Sequence, residues 1–147
     1  MRHPRVLLAS LAVTLAASAG AAAAQGKDAG TPSIKGQYAV KFEAVANNCS
    51  KAGMSLSSAT VDVSQPKDRS VSVTIPSVPI MSGVASRGGK FRAAAKRGKT
   101  AIEGVAGRFS VAGRVEKGTI HFLLIAEYFE GDKPLCTQSW NASGPRQ

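Results

Sequence analysis

The chain has 147 residues and a formal net charge of +10, with 44% of its residues hydrophobic and 19% charged. That length holds one domain with a real core, and no stretch beyond the N-terminal segment is long and apolar enough to span a membrane as a helix. The charge points away from basic partners and toward acidic ones.

Residues 1–24 read as a cleavable export signal. Arg2 and Arg5 supply the positive start, an apolar stretch from Val6 to about Ala17 follows, and Ala22-Ala23-Ala24 makes an A-x-A cleavage site ahead of Gln25. No cysteine lies near that site, which excludes a lipid anchor on a new N-terminal cysteine. Cleavage would leave 17 basic residues against nine acidic ones and His121 as the remaining histidine. The expected location is secreted or periplasmic. Residues 25–34, polar and without periodicity, read as a flexible leader.

From residue 35 onward the pattern alternates with period two. Tyr38, Val40, Phe42 and Ala44 alternate with Gln37, Lys41 and Glu43. Ala59, Val61 and Val63 are followed by a turn at Gln65-Pro66-Lys67-Asp68 and then by Val71, Val73 and Ile75, which predicts a hairpin. Residues 78–86 form a weaker strand broken by Pro79. Phe91, Ala93 and Ala95 alternate with Lys90, Arg92 and Lys96, and residues 100–106 are apolar with no clear phase. Phe109, Val111 and Val115 mark another strand. Thr119–Phe129 is the longest run, and Leu135–Trp140 is the last. Gly88-Gly89, Gly98, Gly107, Lys117-Gly118 and Gly131-Asp132 punctuate these runs at the spacing of successive hairpins.

The expected fold is all-β: a small antiparallel up-and-down barrel of about eight strands over residues 35–147, with a two-sheet sandwich as the alternative. Cys49 follows the first strand and Cys136 opens the last. In an oxidising compartment the two are expected to form a disulfide, one that holds the first structured segment against the last. By the chain-entropy account such a bridge contributes roughly 4–5 kcal/mol, less any strain. Gly36-Gln37-Tyr38 stands where many lipocalin-like secreted barrels carry Gly-x-Trp on the first strand, and the chain resembles that group in these three residues and in architecture. The resemblance implies a barrel and assigns no binding residue.

Arg87, Lys90, Arg92, Lys96, Arg97 and Lys99 are the clearest chemical feature, six cations with no acid between Asp68 and Glu103. Strand parity places Lys90, Arg92 and Lys96 on one face. Such a stripe attracts polyanions through its field and through counterion release. An acidic protein, an acidic glycan or an anionic lipid surface all qualify as partners. Sequence-specific nucleic-acid reading is disfavoured, because no aromatic shares that face for stacking. The bland alternative is a solvated hairpin that its charge keeps from pairing with other strands. Leu123 and Ile125 would face outward beside His121, as covered core or as a contact surface.

Catalytic machinery is not evident. His121 lies within a strand and no G-x-S-x-G elbow accompanies it. Ligand spacing for a metal is absent, and no phosphate-binding glycine loop or other cofactor motif occurs. Asn48-Cys49-Ser50 and Asn141-Ala142-Ser143 match the glycosylation pattern and are read as chance. The expectation is therefore a non-catalytic binding or inhibitor-like module. The alternative is a small-ligand-binding barrel, or an enzyme with an unrecognised site inside it. Filling of the interior by Tyr38, Phe42, Phe91, Phe109, Phe122 and Tyr128 would put function on the surface; an open pocket with convergent polar groups would favour the alternative.

Overall fold

Valines and isoleucines at every second position favour pleated strands, because each strand then offers one continuous apolar face. The structure, a computed structural model, describes residues 33–147; the expected export signal and residues 25–32 of the expected leader lie outside the described residues. The strands are β1 (Gly36–Asn47), β2 (Ser58–Ser64), β3 (Ser70–Thr74), β4 (Met81–Ala85), β5 (Lys90–Ala94), β6 (Gly98–Lys99), β7 (Val105–Glu116), β8 (Thr119–Glu130) and β9 (Lys133–Pro145). The one helical turn among the described residues is a 3-10 turn at Arg87–Gly89.

The strands follow the order β5-β4-β3-β2-β1-β9-β8-β7-β6, and β5 also pairs with β7. That extra pairing closes the sheet. Lys90–Ala94 lie opposite Ser110–Arg114, and β6 continues along the same edge of β7, with Gly98 opposite Gly107 and Lys99 opposite Ala106. The result is an antiparallel up-and-down barrel of eight staves, one of them interrupted at residues 95–97. First and last strands adjoin through β1 and β9, as the cysteine positions imply. Cys49 and Cys136 form a disulfide with Cα atoms 5.1 Å apart.

Alternation decides which side chains enter. Val61, Val63, Val71, Val73 and Leu124 are at most 1% exposed. All six expected aromatics, joined by Trp140, are buried. Phe122 packs edge-on against Phe42 and Phe91, with ring centroids 6.1 and 6.4 Å away, and Phe109 packs edge-on against Tyr128 at 6.2 Å. An eight-stave barrel has just enough interior for side chains to fill, and here they fill it. Close strand approach makes glycine necessary at inner positions such as Gly113, where a Cβ would collide with the carbonyl of His121, and Gly144, where it would meet that of Ala39.

One end of the barrel is plugged by Tyr38, whose hydroxyl donates to the Ile34 carbonyl at 2.7 Å beneath the Arg146 guanidinium. Ile34, at the end of the expected leader, is 1% exposed and belongs to this plug. At the other end, Gln138 reaches the β1–β2 loop: its Oε1 accepts from Met54 N at 2.8 Å and its Nε2 donates to Met54 O at 3.1 Å.

Several local expectations are corrected. β4 starts only after Pro79, which cannot donate to a ladder. Residues 100–104 form a loop, closed by Thr100 Oγ1 donating to Val105 O at 2.8 Å. β9 runs on to Pro145, well past Trp140. Ala44 keeps its register opposite the buried Trp140 but is exposed, and just beyond it the β1–β9 register shifts between Ala44 and Ala46, where the extra residue Val45 breaks the alternation. Leu123 and Ile125 do face outward, half-buried on the wall and so outside the core.

Candidate functional site

The six cations singled out by sequence are all exposed but do not act as one cluster. Lys90 and Arg92 project outward from β5 and Lys96 keeps their parity, while Phe91, Ala93 and Ala95 are buried. Arg87 sits in the turn that precedes them. Arg97 leaves the stripe. Its guanidinium lies 4.2 Å from the Phe129 ring centroid, donates to the Gly131 carbonyl and pairs with Asp132 at 3.6 Å. It ties the β5–β7 connection to the β8–β9 turn. Lys99, in β6, stands at the opposite end of the barrel from Arg87.

Strand pairing adds residues that sequence reading did not place. Arg114 on β7 lies directly opposite Lys90. His121 on β8 is opposite Arg114, Ser143 on β9 is opposite His121, and Lys41 on β1 is opposite Ser143. These five exposed side chains make one row across five adjacent strands, about 19 Å long at the ~4.8 Å spacing of paired strands. A shallow groove of about 450 Å³ runs beside it, lined by Lys90, Arg114, His121, Asn141, Ser143 and Glu43. Arg114 pairs with Glu116 at 3.2 Å. Lys90, Arg92 and Lys41 form no ion pair among the described residues, so the wall stays net positive. The one available signal was the parity of Arg114 on its strand; its neighbour across the seam could not be read locally.

Farther along the wall, Arg108 clamps Glu127 with Nε and Nη2 at 2.8 and 3.0 Å from the two carboxylate oxygens. That hydrogen bonding holds the Glu127 carboxyl below the usual carboxylate range, against a smaller upward push from burial. The pair holds β7 to β8 six positions along the strands from Arg114 and His121.

The mouth of the barrel has a separate cavity of about 430 Å³. Phe109 and Tyr128 line its floor, Met54, Val78 and Ile102 its walls, and Lys99 its rim. Burial pushes the Tyr128 phenol above its ordinary range, so it stays a neutral hydroxyl there, 3.3 Å from Gln138 Oε1.

Glu43, His121 and Ser143 share the wall groove, but no hydrogen bond links them, and the neighbours of His121 across the strands are Arg114 and Ser143. A nucleophilic triad needs the imidazole held by a carboxylate; this arrangement lacks that link. Among the described residues no group of three or more His, Cys, Asp or Glu could hold a metal ion. Comparison with family models, curated proteins and solved structures finds no match to the chain.

Proposed function

We propose that the protein is an exported, non-catalytic binding module that engages acidic partners through its outer wall. The site is the face carrying Lys90, Arg92 and Arg114, extended by His121 and Lys41. The carrying observation is the direct opposition of Lys90 and Arg114 on paired strands. Like charges at opposed positions destabilise a sheet, and a bound polyanion converts that repulsion into attraction while releasing its counterions. The inward-facing aromatic side chains, all buried in the core, support a surface role. Export is supported by the signal-like order of residues 1–24. It fits the Cys49–Cys136 disulfide and the absence, among the described residues, of a helix long and apolar enough to cross a membrane.

Retention on immobilised heparin, a densely charged acidic glycan, tests the reading. Reversing Lys90, Arg92 and Arg114 together to Glu should abolish retention at low salt. Reversing Lys35, Lys51 and Lys133, all exposed and off the row, should weaken it far less. Equal loss from both triple variants would show that retention follows net charge, and the reading would be abandoned.

A further inference from the structure

We infer that the outer wall carries a discrete subsite for a phosphate monoester on a small apolar carrier, in the recess that Arg69, Ser86, Arg87 and Lys90 bound. The inference rests on the reading of the wall as an anion-binding face, with which it shares Lys90, and it names one chemical group that this face takes.

Lys90 has Arg114 on one side, across the β5–β7 seam. On its other side, toward β4, lies an open recess of about 610 Å³ lined by Arg69, Val84, Ala85, Ser86, Arg87 and Lys90. Arg69, Arg87 and Lys90 are all exposed, and none of them forms an ion pair among the described residues. No acid among the described residues lines the recess. Asp68, next to Arg69 in the chain, pairs with none of these cations. A recess walled by one sign of charge focuses the field and draws in counter-ions.

The backbone that carries these cations is fixed. Ala85 N donates to Arg69 O at 2.8 Å, and Ser86 N donates to Lys90 O at 2.8 Å. Successive residues at the end of β4 thus hold Arg69 on one flank and Lys90 on the other. The turn between Ser86 and Lys90 is seated against β7. Gly89 there is buried with φ +74°, and a Cβ on it would lie 2.3 Å from Val115 O. Glycine is what lets the turn sit so close, and the turn carries Arg87. With the backbone preorganised, the ordering cost of binding falls on the side chains.

The residue types select the anion. A phosphate monoester presents three acceptor oxygens and nearly two negative charges at neutral pH. Each guanidinium can fork onto two oxygens, and the lysine ammonium adds a point charge. A phosphodiester offers fewer free oxygens and a single charge, and a sulfate ester keeps the oxygens but loses a charge. Two arginines and a lysine therefore favour the monoester. The carrier is set by Val84, which lines the same recess and is 58% exposed. An apolar body attached to the phosphate would cover it.

Amide-shift titration by NMR at low ionic strength, with phenyl phosphate, phenyl sulfate and inorganic phosphate, separates charge from carrier. Phenyl phosphate should saturate one site and bind about fivefold tighter than phenyl sulfate, the scale of one exposed charge contact. Inorganic phosphate should bind more weakly than phenyl phosphate, and Val84→Ser should bring the two together. Shifts should centre on Arg69 and on residues 84–90. Combining Arg69→Gln with Arg87→Gln should abolish saturable binding of phenyl phosphate. The same double variant should keep its heparin retention at low salt, because Lys90, Arg92 and Arg114 remain. The subsite and the wall can then fail separately: heparin retention that follows net charge removes the wall reading, and an unchanged phenyl phosphate affinity in the double variant removes the subsite. Equal affinity for phenyl phosphate and phenyl sulfate would also overturn the inference. So would shifts centred on Lys41 and His121, or binding to vesicles containing phosphatidic acid with none to free phenyl phosphate.

Discussion

Lys90 on β5 and Arg114 on β7 face each other across the seam that closes the barrel, two cations at directly opposed positions. The fold thus places a repulsive pair on the pairing that turns its sheet into a ring. Replacing Lys90 with Glu converts the pair into an attractive one, and the variant should gain about 0.2–1 kcal/mol in urea denaturation. A basic residue retained at a cost to stability is what a binding wall requires. An unfolding midpoint lower than that of the parent protein would remove the energetic argument for the wall.

The disulfide joins residues 87 positions apart, and the strands flanking it, β1 and β9, complete the ring. Substituting both cysteines with Ser should lower unfolding free energy by about 4 kcal/mol, most of it through the larger freedom of the open unfolded chain. Met54 and its neighbours in the adjoining loop should then exchange amide protons faster than the β2–β3 hairpin does. Matching urea midpoints for the bridged and serine forms would show that β1–β9 pairing alone holds the ends together.

The Arg108–Glu127 clamp carries a pH signature. Hydrogen bonding to Arg108 depresses the folded-state pKa of Glu127, so its stabilisation is fully present above the ordinary carboxylate pKa. It is lost as pH falls through the depressed folded value. The stability difference between the parent protein and Arg108→Gln should therefore be constant from neutral pH down to about pH 5, then shrink toward zero in stronger acid. The effect is modest and weakened by salt, because both side chains are partly exposed. A difference that grew on acidification would contradict the assigned direction.

The alternation at Val61–Val63, Val71–Ile75 and Phe91–Ala95 identified strands and their inner faces from sequence alone, because a strand's two faces are set by its own pleat. The bridge between Cys49 and Cys136 was equally legible, since they are the two cysteines of the chain and flank its first and last strands. Turns with their own chemistry, such as Lys117-Gly118 with φ of 50° and 75°, could also be placed, because such backbone angles suit a two-residue hairpin. Other features required the closed sheet. The bulge at Val45 depends on the register with β9, and Arg97 was drawn out of its stripe by Phe129 and Asp132, which no local pattern connects to it. The row from Lys90 through Arg114 and His121 to Lys41 exists only because β5 pairs with β7 and β9 with β1. The mouth likewise exists only where loops from three distant parts of the chain meet above Phe109. Periodicity records which way a side chain points within its own strand; which strands become neighbours, and at what register, follows from long-range packing that a local pattern does not contain.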